Sequence, residues 1–287
     1  VEWKLTAPDG DLPLVGDTST CCEPGREFPR LRQLAARYGI AEAKYVAEAL
    51  DPEWQPPYHE LFPHEGDNLL PAYRELAAKA PDETDACLPD SGYYFMRRDW
   101  TPSSDWACID AGARGSIVTS HDHTAFFHLL LYSHGRPILL DNCSGPYGEE
   151  PSRLWRVGSF AHNVATVDSE HHLPMRGEWR WDAMAAPVVD AWITTPAFAY
   201  FSGVHEGYAR LSHSVPSSRR KLFYLRGGYW VLIDRFTTSY MVEKTAHTYQ
   251  QHFHLGPPAQ LLEDGRAVTA GKGGNLLTAD GKTWAWS

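Results

Sequence analysis

Ala125-Phe126-Phe127-His128-Leu129-Leu130-Leu131-Tyr132-Ser133-His134-Gly135-Arg136-Pro137-Ile138-Leu139-Leu140-Asp141 is the stretch whose reading decides the fold. Two short apolar runs flank His134-Gly135, too short for helices and divided by a turn pair, so they read as an antiparallel hairpin. Working outward, similar runs recur at 92–100, 106–111, 163–168, 221–226, 229–234 and 247–255. Pro89-Asp90, Gly227-Gly228, Asp264-Gly265 and Asp280-Gly281 punctuate the chain as turns, and Leu222 to Asp234 reads as a second hairpin. Many short strands without intervening helices predict a mainly β fold, an antiparallel β-sandwich.

The first part of the chain obeys a different period. Leu31, Leu34, Ala35 and Tyr38, then Ala41 to Leu50, then Leu70, Tyr73 and Leu76 within 69–80 recur at helical spacing. Three short helices cannot bury an independent core. The expected organisation is a helical segment over 1–85 and a β-sandwich over 86–287. The chain opens on Val1-Glu2-Trp3, without Met or a signal peptide, and reads as a piece of a longer protein.

Composition narrows the partners. The 287 residues carry a net charge of −10 with only short basic pairs, which argues against a nucleic-acid surface but not against a locally basic cleft. No apolar run approaches the roughly 20 residues of a membrane span. Aromatic residues reach 13%, including 11 Trp and 14 Tyr, which suits sugar stacking as well as a large core. The five cysteines show no zinc spacing, and their odd number argues against a full disulfide framework, although one bridge remains possible.

The densest chemical signal is Ser120-His121-Asp122-His123 just before the hairpin. If this segment is a strand, His121 and His123 share one face about 7 Å apart and Asp122 takes the other. The hairpin can then return Asp141 to His123, and His162-Asn163 opens another strand. His123, Asp141 and His162 suit zinc at about 2.0–2.2 Å with a fourth position open. Among 14 histidines a pair two apart also arises by chance, as His252 and His254 do, so spacing leaves a metal site and ordinary core histidines both open.

The same residues carry a resemblance. Pro89-Asp90-Ser91-Gly92-Tyr93 with Met96-Arg97, His121-Asp122-His123, Gly135-Arg136-Pro137, Leu139-Leu140-Asp141, and Ala161-His162-Asn163 to Asp168 stand in the order found in the heparinase II/III-like polysaccharide lyases, which include alginate and heparin lyases. His205 to Arg210, Tyr229 to Arg235 and His252 to Leu255 continue it, and Asp9 to Pro13 with Gly16-Asp17 resembles a segment of the family's α/α toroid.

The resemblance implies cleavage of a uronic-acid polysaccharide by β-elimination. That chemistry needs a group to neutralise the uronate carboxylate, a base for the C5 proton and an acid for the leaving oxygen. It assigns His121 and Tyr147 to catalysis, and Arg156, Asn163 and His254 to the acidic polysaccharide or oligosaccharide substrate. It gives His123, Asp141 and His162 a largely structural zinc. It further implies a periplasmic or secreted protein and an N-terminal α/α toroid partner domain that supplies the remaining catalytic groups. Oligomeric state is left open.

Departures from the family pattern are Asp122 where glycine is commoner, Thr124-Ala125 for Ala-Asp, and Asn142-Cys143 for Pro-Gly. Two other classes stay open: a non-catalytic sugar-binding sandwich using Trp179 and Trp181, and a cupin-like iron(II) oxygenase, whose usual ligand spacing this chain does not match.

Overall fold

The computed structural model describes residues 2–17, 27–54, 61, 68–115, 121–141, 151–177, 179–211, 215–238, 246–256, 259–261, 267–269 and 276–277. Short helices come first: α1 (Glu2–Leu5), α2 (Phe28–Tyr38), α3 (Ala41–Leu50) and α4 (Leu70–Glu75). Strands follow as β1 (Ala86–Leu88), β2 (Tyr93–Arg97), β3 (Trp106–Asp110), β4 (Arg114–Gly115), β5 (His128–Ser133) and β6 (Arg136–Leu139). After α5 (Pro151–Val157) come β7 (Ala165–Val167), β8 (Met184–Ala185), β9 (Val188–Thr194), β10 (Phe198–His205), β11 (Ser217–Leu225) and β12 (Trp230–Thr237). The small strands β13 (Tyr249–Gln251), β14 (Ala259–Leu261), β15 (Ala267–Thr269) and β16 (Leu276–Leu277) complete the described elements.

The chain is mainly β, in several antiparallel sheets. A five-stranded sheet runs β1-β2-β3-β5-β6 and a four-stranded one β12-β11-β10-β9. They share one core: Tyr94, Met96, Ile109, Leu129 and Leu131 of the first meet Ala199, Phe201, Leu222 and Tyr224 of the second. The reverse face of the five-stranded sheet is also covered. Phe95, Trp106, Leu130 and Tyr132 pack there against Ala7, with Leu5 and Val15 beside them. Two-sided burial explains why 106–111 and 128–133 read as unbroken apolar runs. Ahead of the sheets, α2 and α3 pack Phe28, Leu31, Val46 and Leu50 against Trp100.

The decisive hairpin forms with the expected turn. His134 and Gly135 both take positive φ, 52° and 73°, the geometry of a two-residue type I′ loop. A side chain at 135 would lie on the Pro102 carbonyl, so only glycine fits there. The second hairpin closes with the Leu225 N–H donating to the Tyr229 carbonyl at 3.0 Å.

Several expectations shift. The strand expected from Ala125 starts at His128, because residues 121–127 are irregular and Phe127 sits at φ 57°. There the Phe126 N–H donates to His172 Nδ1 at 2.9 Å instead of to a sheet neighbour. His121 and His123 therefore do not share a strand face by alternation. Strands β9 and β10, and helix α5, were not foreseen from the sequence pattern. The helix expected over 69–80 stops at Glu75, where Leu76 turns extended. Cys87 and Cys108 are free thiols, while Cys21, Cys22 and Cys143 lie outside the described residues.

Arg220 ties the sheets together. Its Nη1 donates to the carbonyls of Phe127 and Asn163 at 2.9 and 2.6 Å, and its Nε and Nη2 grip Asp234 at 2.8 Å each. Beside it lie two buried histidines. His172 accepts from the Phe126 N–H and donates from Nε2 to the Ala165 carbonyl at 2.9 Å, which fixes the neutral ring. Burial pushes His172 down to about 3 and His205 well below its ordinary value.

Two outcomes are expected. Arg220→Met leaves Asp234 buried without its cation and should cost about 3–5 kcal/mol in urea unfolding; a loss under about 1 kcal/mol would contradict the bridging role. For the histidines, both states are neutral above about pH 6.5, and below it the unfolded chain binds protons that the folded one cannot. Stability should thus fall as pH drops from 6.5 toward the folded value, by about 2 kcal/mol per ring at pH 5. His172→Gln should flatten that slope; an unchanged slope would show that the ring does not titrate on unfolding.

Candidate metal centre

Three segments converge at the edge of the five-stranded sheet. His123 lies in the irregular segment before β5, pinned where the Thr124 N–H donates to the Val157 carbonyl at 2.9 Å, at the end of α5. Asp141 follows β6, held where the Leu140 N–H donates to the His254 carbonyl at 3.0 Å. His162 leaves a single 3-10 turn, Ser159–Ala161, in an extended conformation.

All three side chains are buried, and one donor atom of each lies within 4.8 Å of the others. The His123 and His162 ring centroids are 5.0 Å apart. His162 Nδ1 lies 2.7 Å from Asp141 Oδ1, whereas His162 Nε2 and His123 Nδ1 are buried with no hydrogen-bond partner. An orphaned buried imidazole nitrogen is costly unless a cation or a donor meets it. Two such atoms beside a carboxylate form a donor set that fits a divalent metal.

His128, at the start of β5, completes the surroundings. It accepts from the Asn163 N–H at Nδ1 (3.0 Å), so its proton is on Nε2, which lies 3.4 Å from Asp141 Oδ2. Burial pushes His128 down to about 4. Burial alone would raise Asp141, but His128, His162 and His123 outweigh it and hold the carboxyl at about 2. Asp141 is therefore an anion at neutral pH.

The group opens into a cleft of about 380 Å³. Its lining includes Asp17, Tyr93, Asp110, Arg114, His121 and Asp122. Arg114 bridges Asp110 and Asp122, the latter at 3.3 Å, so Asp122 turns inward onto a buried cation. The Asp17 side chain is 2% exposed and contacts His121 Nδ1 at 3.1 Å, His123 Nε2 at 3.0 Å and both terminal nitrogens of Arg153. His121 is 66% exposed at the mouth, with its ring 6.4 Å from that of Trp179. Arg153 covers the Trp179 ring at 4.9 Å, while Trp181 belongs to the main core.

The other residues singled out in the sequence are distributed around this centre. Asn163 is fully enclosed: its amide donates to the Leu129 and Leu140 carbonyls at 2.8 and 2.9 Å, and its oxygen accepts from the His254 N–H at 2.6 Å. These bonds use both amide hydrogens and tie together β5, the residue after β6 and the His254 backbone. His254 is half-buried and reaches the Phe160 carbonyl from Nε2 at 3.0 Å. Arg156 lies on α5, partly buried. Tyr147 falls outside the described residues.

Asp17, Arg153, His128 and Arg114 were not singled out as site residues by sequence. Only Gly16-Asp17 left a trace, inside a motif. Arg153 lies one helical turn from Arg156 on a helix the pattern did not predict, and it is Arg153 that points at the cleft.

Among curated proteins there is no significant match. Solved structures match in fold. Heparan sulfate lyase HepC from Pedobacter heparinus superposes with a TM-score of 0.67 at 16% identity, covering 95% of this chain and 36% of its own. A heparinase III, the BT4657 gene product, gives 0.65 at 16% identity, covering 93% and 36%. A further heparinase III gives 0.66 at 18%, covering 93% and 38%. This chain thus spans little more than a third of the length of these relatives. Residues 80–286 match the family model described as heparinase II/III-like, C-terminal, and that span contains both sheets, the buried His-Asp-His group and the cleft lining apart from Val15, Gly16 and Asp17. The chain belongs to the heparinase II/III-like family.

Proposed function

We propose that this chain is the β-sandwich part of a carbon–oxygen lyase that cleaves uronic-acid-containing polysaccharide by β-elimination, with a structural zinc held by His123, Asp141 and His162. The observation that carries the metal is the buried group itself, one donor atom each of His123, Asp141 and His162 within 4.8 Å of one another, in which each imidazole also has a buried nitrogen without a hydrogen-bond partner. Charge supports it. Among the described residues, Asp17, Asp110, Asp122 and Asp141 stand at the cleft with only Arg114 and Arg153 against them. A divalent cation restores neutrality to a cleft that would otherwise repel a uronate.

When bound, zinc would tie together the segments bearing His123, Asp141 and His162. The remaining roles fall to the chain's own residues. His121 neutralises the substrate carboxylate or accepts the C5 proton, a role supported by its exposed ring in the lining of the cleft. Removal of that proton forms the C4–C5 double bond and expels the glycosidic oxygen, which Tyr147 or a group on the toroid domain protonates. Arg156 and His254 contribute to carboxylate or sulfate binding, and Asn163, whose side-chain oxygen accepts from the His254 N–H, holds the His254 segment. HepC and its relatives are more than twice as long as this chain, which supports a toroid domain that supplies the rest of the catalytic machinery. The substrate class follows that of HepC, and a periplasmic or secreted location suits a polymer substrate.

Two measurements test this reading. Metal analysis should find one zinc per chain. His123→Ala and His162→Ala should hold none and melt lower by roughly 5 °C or more, at about 2–4 °C per kcal/mol lost. A wild-type chain without divalent metal, or a zinc-replete His123→Ala, would sink the metal assignment. In the protein that includes the toroid domain, heparan sulfate, alginate and other uronate polymers should be screened for the ultraviolet absorbance of unsaturated product. At least one should yield it, and His121→Ala should lower turnover by about 10²–10⁴-fold with zinc retained. No product from any uronate polymer would end the lyase reading.

A further inference from the structure

The Asp17 carboxylate touches two histidines that are two residues apart in the chain and chemically different in role. Its Oδ2 lies 3.1 Å from His121 Nδ1, and its Oδ1 lies 3.0 Å from His123 Nε2. Arg153, fully buried, donates to both oxygens, to Oδ2 at 2.6 Å. An ionised carboxylate only accepts hydrogen bonds, so each facing imidazole nitrogen must carry a proton.

We propose that Asp17 is a positioning residue that fixes opposite tautomers on the two histidines, Nδ1–H on His121 and Nε2–H on His123. The consequence differs for each ring. On His121 the unprotonated nitrogen is then Nε2, the atom that a general base for the C5 proton would use. His123 keeps its Nδ1 lone pair, the buried nitrogen with no hydrogen-bond partner, for the metal group. Carboxylates behind metal-bound histidines commonly orient the ring in this way. Here a single carboxylate serves both the metal ligand and the cleft histidine.

The backbone is built for this contact. Gly16 has φ +56°, and a Cβ there would lie 2.7 Å from the His121 carbonyl oxygen. Any side chain at 16 would push the Asp17 segment away from the histidines it holds. Arg153 donates to both carboxylate oxygens from a fully buried position, which favours the ionised form of Asp17.

The tautomer assignment stands on geometry alone; its meaning for zinc and the cleft rests on the proposed function. Ring nitrogen shifts of ¹⁵N-histidine-labelled, metal-free chain at about pH 8, where imidazoles are neutral, read both tautomers directly. The expected result is a protonated Nδ1 on His121 and a protonated Nε2 on His123. A proton on His121 Nε2 or on His123 Nδ1 in the wild type overturns the proposal. Asp17→Asn keeps the shape but offers one acceptor and one donor group, so at least one ring should flip. If His123 flips, zinc affinity should drop about 10–100-fold; if only His121 flips, zinc affinity should hold. Unchanged tautomers in a folded Asp17→Asn also overturn the proposal, and if that variant does not fold the wild-type spectrum decides alone. Absence of zinc or of lyase activity in the wild type would count against the function and leave the tautomer result intact.

Discussion

Imidazole nitrogens lose water when they are buried, and something must replace it. His123 Nδ1 and His162 Nε2 are enclosed beside an anionic Asp141 with no donor from the protein. Their other nitrogens are committed, His162 Nδ1 to Asp141 and His123 Nε2 to Asp17. A protein that left such a cluster empty would carry a desolvation cost of several kcal/mol at the centre of its cleft. The positions of the hairpin end, the 3-10 turn and the N-terminal Asp17 segment all bear on this one cluster.

The sheets make the cluster possible. Two-sided burial of β3 and β5 gives a rigid wall from which His128 projects toward Asp141. Asn163 binds the backbone of β5, the residue after β6 and His254 with one side chain, so the segments that carry Asp141 and His162 cannot drift apart. Arg220 then fastens the four-stranded sheet to the same place through the Asn163 and Phe127 carbonyls. Rigid elements with saturated polar contacts are what a preorganised site requires.

Much of this was legible in the sequence, and the misses have physical causes. The hairpin at 125–141 and its turn follow from apolar runs broken by His134-Gly135. The grouping of His123, Asp141 and His162 followed from motif order, although the strand alternation offered for His121 and His123 fails. Phe126 spends its N–H on His172, a partner 46 residues away that no local pattern announces. Strand β10 has mixed polarity because Gly203 meets Phe127 closely and Ser202 holds Arg219. Asp17 and Arg153 are 136 residues apart, and only the folded chain shows that they share a bond. Long-range polar pairs leave no periodicity to read.

The buried group of two imidazoles and one carboxylate could hold a metal ion, and zinc is the ion proposed for it. X-ray absorption at the metal edge of the purified chain tests it most directly. The account predicts a zinc first shell with two histidine nitrogens and a carboxylate oxygen at about 2.0–2.2 Å. A shell containing sulfur, a shell of water oxygens alone, or no metal signal would contradict it.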